Sequence, residues 1–269
     1  MDQNRRSFLK NAGRTALGVG CGFPLLGSGC SALKQGSTDA AASPIQWAIV
    51  IDVRKCLKKE VRDACTEACH RAHNVPKIPD PEEEVKWIWT EQYEHVFADQ
   101  AHEHTEAVMK GAPVLVLCNH CTKPSCVRVC PTRATWKRKS DGVVMMDMHR
   151  CIGCRYCIAA CPYGSRSFNW RDPRAHIARD ENNQLPSDYP TRSKGVVEKC
   201  NFCADRIRLA AKPVPACVEA ANSVPGGQGA LTFGDLRDPD SEVCRILNEK
   251  HTICRRLSLG TGPNVFYIV

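Results

Sequence analysis

The sequence lacks a long hydrophobic run: beyond residue 42, nothing approaches the roughly 20 apolar residues that a transmembrane helix requires. Aromatic residues are sparse, at 6%, and no basic stripe with interleaved aromatics is present, which argues against a nucleic-acid partner. Excess charge is also small. Residues 1–42 hold five Lys or Arg against two Asp, which leaves +5 of the net +8 on the rest of the chain. We therefore expect a water-soluble mature protein that binds no nucleic acid.

Cysteine is the abundant residue, with 18 in 269 positions, and it is grouped rather than scattered. Groups of closely spaced cysteines followed by proline are typical of iron-sulfur ligands, because thiolates two or three residues apart converge on one centre. Dispersed cysteines in an exported protein would instead indicate disulfides. The grouping predicts iron-sulfur clusters.

The first residues resemble a twin-arginine export signal. Arg5 and Arg6 precede Ser-Phe-Leu-Lys and a mildly apolar stretch, and Ala40-Ala41-Ala42 offers a cleavage site that would make Ser43 the mature N-terminus. This route carries folded proteins, which suits clusters that are inserted in the reducing cytoplasm. We predict a signal peptide over 1–42 and a periplasmic protein held at the membrane only through a partner. An uncleaved leader and lipid attachment at Cys21 or Cys30 remain alternatives.

Two central cysteine groups follow the bacterial ferredoxin pattern, in which three cysteines bind one cluster and the fourth reaches the neighbouring cluster. They are C-x2-C-x4-C-x3-C-P from Cys118 and C-x2-C-x2-C-x3-C-P from Cys151. Cross-ligation predicts two complete [4Fe-4S] sites. The first site is Cys118, Cys121, Cys126 and Cys161, and the second is Cys130, Cys151, Cys154 and Cys157.

Two outer groups are incomplete in complementary ways. In the first, Arg62 stands where a ligand between Cys56 and Cys65 belongs, and in the last, Ala221 replaces the final cysteine. If the outer groups cross-ligate like the central pair, they yield one complete set and one vacated set. The complete set is Cys69, Cys200, Cys203 and Cys217, and the vacated set is Cys56, Arg62, Cys65 and Ala221. The sequence therefore predicts three clusters.

Other chemistry can be written for some of these side chains. Zinc accepts C-x2-C pairs, and Cys65-x3-Cys69-His70 resembles a stretched haem-attachment motif. Cys56 could pair with Cys65, and Cys244 with Cys254, as disulfides, although for the second pair plain buried thiols serve equally well. His95, His102 and His104 fit a solvated polar face better than a metal site. Five arginines flank the cysteine groups, where they would raise cluster potentials or simply lie on the surface: Arg128, Arg133, Arg150, Arg155 and Arg166.

Local patterns predict an α+β fold. Strands are expected at 47–51 and 114–117, and a hairpin joins 135–139 to 143–147 through Ser-Asp-Gly. Ser241 caps an amphipathic helix to residue 251, and a strand or extended arm is expected at 265–269. Residues 179–192 form a predicted surface loop.

The insertion over 70–111 is harder to interpret. Prolines followed by three glutamates favour a helix start, whereas Trp87 and Trp89, two residues apart, suit a strand better. It could cap a cluster, which we favour, or dock a partner. The predicted domain at 43–269 thus combines an outer pseudo-repeat, 47–69 plus 196–221, with a central pair, 114–162, and this insertion.

Two quartets flanked by two degenerate groups resemble the four-cluster ferredoxin-like electron-transfer subunits of the dimethyl-sulfoxide, polysulfide and tetrathionate reductase families. Four segments are more similar to the periplasmic O subunits of Dsr complexes of sulfur metabolism: 69–76, 145–154, 161–170 and 266–269. The resemblance implies tandem ferredoxin-like 4Fe-4S dicluster folds with a hairpin and helical insertions. The departures at Arg62 and Ala221 put one family cluster in doubt.

The resemblance also implies a function. A protein of this kind is a non-catalytic subunit that relays electrons between two partners. One is a polytopic quinone-interacting membrane subunit of the polysulfide-reductase C type, and the other is a periplasmic multihaem cytochrome c. No small-molecule substrate is expected. The alternatives are the iron-sulfur subunit of a molybdopterin oxidoreductase, which the same motifs would serve, and an enzyme that uses a cluster as catalyst.

Overall fold

The computed structural model describes residues 45–100, 102–177, 179, 192–209 and 213–269. The leader predicted at 1–42 and most of the loop predicted at 179–192 therefore lie outside the described residues. Within the described part of the chain, no helix has the length and apolar character needed to cross a membrane.

The largest sheet has four strands. β1 (Trp47–Asp52) pairs antiparallel with β8 (Leu231–Asp235) and parallel with β10 (Val265–Ile268), which in turn pairs antiparallel with β9 (Thr252–Ile253). Because side chains alternate across a strand, Ile49 and Ile51 face one core. Ala48 and Val50 face a smaller cluster against α7 (Glu242–Glu249).

Three two-stranded ribbons complete the sheets, each of them antiparallel. They are β2 (Ile88–Gln92) with β3 (Pro113–Leu117), β4 (Thr135–Lys137) with β5 (Val144–Met146), and β6 (Ser167–Phe168) with β7 (Val197–Glu198). The strands expected at the entries to the first two cysteine groups are confirmed as β1 and β3. The hairpin is confirmed as β4–β5, with Gly142 at φ +73° in its turn.

The insertion contains a strand where the proline pattern favoured a helix. β2 includes Trp89, and only the short helix α2 (Tyr93–Val96) follows it. Tyr93, Val96 and Phe97 are buried in the main core, so this part of the insertion belongs to the body of the fold. The two-residue spacing of the tryptophans was the better guide.

The remaining helices carry or neighbour the cysteines. α1 (Lys59–His73) ends at Asn74, which adopts a left-handed conformation with φ +49°. α3 (Ser125–Arg128) packs on α4 (Tyr156–Ala159), and α1 packs along α6 (Ala216–Ser223), which follows α5 (Ala204–Leu209). The predicted capped helix is confirmed as α7, where the Ser241 hydroxyl accepts a hydrogen bond from the Cys244 N–H.

Candidate iron-sulfur sites

The first central quartet gathers around one cavity. Cys118, Cys121, Cys126 and Cys161 all line it, and the Cys161 side chain comes from the group that begins at Cys151. Burial and repulsion from the thiolate of Cys118 raise the pKa of Cys121 to about 12 and also raise that of Cys161. Because a thiol binds iron as the thiolate, cluster binding at this pocket would release protons.

The second central quartet lies at the surface. Cys157 on α4 is close enough to Cys151 for their thiolates to repel, and Cys154 is solvent-exposed. Cys130 follows α3, the helix that packs on α4. Burial alone would raise the pKa of Cys130, but hydrogen bonds from the N–H groups of 132, 134 and 135 outweigh burial and lower it. Hydrogen bonds that favour the thiolate form of this sulfur also favour its use as a metal ligand.

The outer groups meet as the cross-ligation pattern requires. Cys69 on α1 lies beside Cys200, Cys203 and Cys217, and burial together with these thiolates holds its pKa well above the usual range. Burial and the thiolates of Cys203 and Cys200 also hold the pKa of Cys217 well above the usual range. The Cys203 sulfur accepts a hydrogen bond from the Ala216 N–H and lies 3.1 Å from Nε2 of His73. The structure thus brings a third complete set of four thiols together.

The fourth set is packed with apolar groups. Cys56 and Cys65 are fully buried in the main core, where burial raises the pKa of Cys65 to about 12, and the Cys65 thiol lies 3.4 Å from the carbonyl oxygen of Cys217. Arg62 turns its guanidinium to the carbonyls of Cys56 and Leu57, at 2.7 and 2.6 Å. Ala221 is fully buried on α6. Two thiols, a hydrogen-bonded arginine and a methyl group do not form a cluster ligand set.

The three predicted sets are neighbours in the structure. Cys118 of the first central set repels Cys200 of the outer set, and Cys126 repels Cys157 of the second central set. We name them by position: the middle site (Cys118, Cys121, Cys126, Cys161), the surface site (Cys130, Cys151, Cys154, Cys157) and the inner site (Cys69, Cys200, Cys203, Cys217). The middle site adjoins both others.

The middle site fits an anionic group. Arg166 and Lys199 are buried next to its thiols, and neither forms an ion pair with a carboxylate among the described residues. Both polar atoms of the Asn119 side chain are buried beside the same cavity without a hydrogen-bond partner in the described part of the chain. Buried cations and unpaired amides are costly unless a partner satisfies them. An iron-sulfur cluster with four thiolates supplies both negative charge and sulfur acceptors.

The described cysteines, sixteen in all, are free thiols, so neither candidate disulfide is present. No group of three or more His, Cys, Asp or Glu in that same part of the chain is spaced to hold a single metal ion. A [4Fe-4S] cluster binds each cysteine through a different iron, so its ligands stand farther apart. His95 pairs with Glu91, and His104 with Glu103, on the exposed surface, as a solvated face would.

Sequence reasoning missed three polar neighbours of these sites: Asn119, Lys199 and His73. Lys199 and Asn119 adjoin ligand cysteines in sequence, which was the only available signal. Among the five flanking arginines, Arg166 alone is buried, and its guanidinium lies 3.1 Å from the Cys126 sulfur. Spacing could not separate it from the other four, because the difference is burial.

Comparison with known proteins supports the presence of [4Fe-4S] clusters. A family model described as a 4Fe-4S dicluster domain matches residues 114–191. The chain is 38% identical to the Hdr-like menaquinol oxidoreductase iron-sulfur subunit 1 of Archaeoglobus fulgidus, covering 98% of this chain and 97% of that protein. It is 36% identical to the menaquinone reductase iron-sulfur cluster-binding subunit of Nitratidesulfovibrio vulgaris, over 83% and 89% of the two chains. The chain belongs to the iron-sulfur subunits of oxidoreductase complexes.

Within these iron-sulfur subunits the likeness is broad. A tetrathionate reductase subunit of Salmonella typhimurium is 30% identical over 100% of this chain and 89% of its own length. The relatives are subunits of oxidoreductases named for menaquinol, menaquinone and tetrathionate. Together with the dicluster family model, they support an electron-transfer role and [4Fe-4S] clusters. The mixture of helices and short sheets agrees with the α+β, ferredoxin-like class.

Proposed function

We propose that this chain holds three [4Fe-4S] clusters in a row and relays electrons between a quinone-interacting membrane subunit and a periplasmic redox partner. The observation that supports the proposal is the proximity of Cys200 to Cys118 and of Cys126 to Cys157, which links the three predicted cysteine sets. When bound, such clusters accept and release single electrons. The protein's own part is to hold them close together and to keep water from the two buried sites.

The surface site supports the exchange of electrons with a partner. Around exposed Cys154 stand Ile152, 66% exposed, and Tyr156, 63% exposed, with Trp170 nearby. Arg155 lies over the Trp170 ring, 4.8 Å from its centre. Exposed apolar and aromatic side chains beside a redox site are typical of a protein contact. The packed fourth set carries no cluster in this proposal, so that end of the row is insulating.

The cluster count is tested by iron and acid-labile sulfide on anaerobically purified chain. Three clusters give about twelve of each per chain, and about sixteen would contradict the vacated fourth set.

We further propose that the chain is a subunit of the Dsr type in dissimilatory sulfur metabolism, next to a polysulfide-reductase C-type membrane subunit and a multihaem cytochrome c. The segments that resemble Dsr O subunits support this, and so does the similarity to an Hdr-like menaquinol oxidoreductase subunit. Purification of the native complex should recover a polytopic membrane protein with bound quinone and a c-type haem protein. Recovery with a molybdenum subunit and no haem would favour the second candidate, the iron-sulfur subunit of a molybdopterin oxidoreductase.

Export by the twin-arginine route is part of the proposal and rests on the pattern at residues 5–10. Replacing Arg5 and Arg6 together by lysine should leave the cluster-loaded chain in the cytoplasm, whereas the same change at Arg14 should not. Periplasmic recovery of the double variant would contradict the route.

A further inference from the structure

Two cations are buried between the three thiol sets. Arg166 is 5% exposed, and it donates hydrogen bonds to the Cys126 sulfur at 3.1 Å and to the Thr135 hydroxyl at 2.9 Å. Lys199 is 1% exposed, and its ammonium donates to the carbonyls of Val144 and Cys200. Both positions are fixed by several contacts, so each charge has a defined place.

Neither cation has a carboxylate partner among the described residues, and each faces thiolates instead. Burial opposes the charge of Arg166, but Cys126, Cys157 and Cys118 outweigh burial and raise its pKa. Burial lowers the pKa of Lys199, and the thiolates of Cys118 and Cys200 oppose that effect. A buried charge is tolerated only beside an opposite charge. The thiolates and the cluster that they would bind are that opposite charge.

The two cations divide unevenly among the sites. Arg166 lines both the cavity of the middle site and the surface cleft that contains Cys154 of the surface site. Lys199 donates to the carbonyl of Val144, which lines the middle-site cavity, and to that of Cys200 of the inner site. Only the middle site faces both. His120, which is also buried there, adds no charge, because its Nδ1 accepts a hydrogen bond from the Val144 N–H and therefore carries no proton. The other flanking arginines are exposed, where water and salt screen their effect.

We propose that Arg166 and Lys199 raise the reduction potential of the middle site, so that it is the first of the three to be reduced and stores the electron at the centre of the row. An added electron makes a cluster more negative, and a fixed cation in a low-dielectric surrounding stabilises that state. This inference rests on the proposed function. It assigns to two side chains the internal order of reduction, which cysteine ligands alone do not determine.

The test is a potentiometric titration of the anaerobic, cluster-loaded chain, followed by electron paramagnetic resonance. Signals are assigned with Cys121→Ser, Cys154→Ser and Cys203→Ser, each of which removes a ligand from one site. The first signal to appear on reduction should be the one lost in Cys121→Ser. If another signal appears first, the inference is wrong.

Charge removal gives the sharper result. Arg166→Gln should shift the middle and surface sites toward lower potential, and Lys199→Gln should shift the middle and inner sites. The middle site should change in both, by at least tenfold in its reduction equilibrium, which is about 59 mV for one electron. Arg166→Lys keeps the charge and should largely preserve the potential, and Arg128→Gln, at an exposed position, should change it less than about twofold.

The proposed function and the role of the two cations can be tested separately. A chain that binds fewer than three clusters contradicts the proposed function. Three clusters whose potentials are unchanged in both variants, or shift equally at all sites, leave the proposed function intact and overturn the role of Arg166 and Lys199.

Discussion

At the scale of single residues, the arginine at position 62 does more than omit a ligand. Its guanidinium binds two carbonyls at the end of the turn that contains Cys56, so the side chain has become part of the local backbone structure. Cys56 and Cys65 remain as neutral, buried thiols in the core. A cysteine in a buried apolar place behaves as a small hydrophobic residue, so these two positions can persist without a cluster.

Cys69 and Cys65 are a matched pair for testing the inner site. They lie four residues apart on α1, but only Cys69 belongs to the complete set with Cys200, Cys203 and Cys217. We expect Cys69→Ser to lose one cluster, lowering iron from about twelve to about eight per chain, and Cys65→Ser to keep about twelve. Iron and sulfide analysis under anaerobic conditions measures both. Equal loss in the two variants would contradict the assignment.

Cys254 offers a pH-dependent prediction away from the clusters. Burial raises the pKa of its thiol to about 11. Because the thiolate is the form that reacts, alkylation of Cys254 in the folded protein should be slow at pH 8 and rise about tenfold per pH unit toward pH 11. Mass spectrometry of the modified peptide measures the rate, with urea-unfolded protein as the control. A rate that already levels off near pH 9 would show that the thiol is not buried as described.

At the scale of elements, the pair α1 and α6 explains how the inner site is built. Each helix presents two positions four residues apart: Cys65 and Cys69 on one, Cys217 and Ala221 on the other. Such positions share a helix face, so packing the helices together brings all four to one interface. Because the fourth position is alanine, the interface supplies Cys69 and Cys217 to the inner site, whereas Cys65 and Ala221 are buried as part of the hydrophobic core.

The loop after α6 closes tightly over that filled place. A Cβ added to Gly227 would collide with the backbone carbonyl oxygen of Ala221 and lie 3.1 Å from the Val61 side chain. We expect Gly227→Ala to lower the free energy of unfolding by roughly 1–3 kcal/mol, because the backbone must move. Chemical denaturation of the loaded chain measures this. Gly111→Asn is the control, because asparagine tolerates the left-handed φ of +66° there and its Cβ would meet nothing within 4 Å. A neutral Gly227→Ala would show that the place is loosely packed.

Much of the element structure could be predicted from the sequence, because it follows local rules. Short apolar runs ahead of the cysteine groups predicted β1 and β3, a turn tripeptide predicted the β4–β5 hairpin, and a capping serine predicted α7. The insertion was misjudged, since the proline and glutamate pattern was given weight over the spacing of Trp87 and Trp89. The position of β10 between β1 and β9 could not be predicted, because pairing between distant strands leaves no local signal.

For the candidate sites, the ligand sets could be predicted from the sequence, but their order and their charged neighbours could not. Spacing and the cross-ligation rule named three quartets, and the structure gathers the middle and inner quartets and brings Cys151 and Cys157 of the surface quartet together. Their order was not predictable, because it depends on contacts such as Cys118 with Cys200. The burial of the two cations could not be predicted either, because a lysine next to a cysteine in sequence gives no sign that its side chain will be buried.

At the scale of the whole molecule, the thiol sets and the main sheet are separate parts of one body. None of the twelve cysteines of the three complete sets lies on β1, β8, β9 or β10. If iron is removed with a chelator, the sheet should therefore keep more of its protection from hydrogen exchange than the segments 118–134, 151–170 and 200–217. Exchange measured by mass spectrometry on loaded and stripped protein compares these regions. Uniform loss of protection would mean that the clusters hold the entire fold together.

The parallel pairing of β1 with β10 has a consequence for the timing of synthesis. Ile49 faces Val265, so the central sheet cannot close until the ribosome has made nearly everything between residues 49 and 265. That interval contains every cysteine of the three complete sets. A chain whose sheet has closed has therefore already been supplied with all its ligands, whereas a prematurely terminated product lacks the strand that completes the core. Closure of this sheet therefore comes after the synthesis of every proposed cluster ligand.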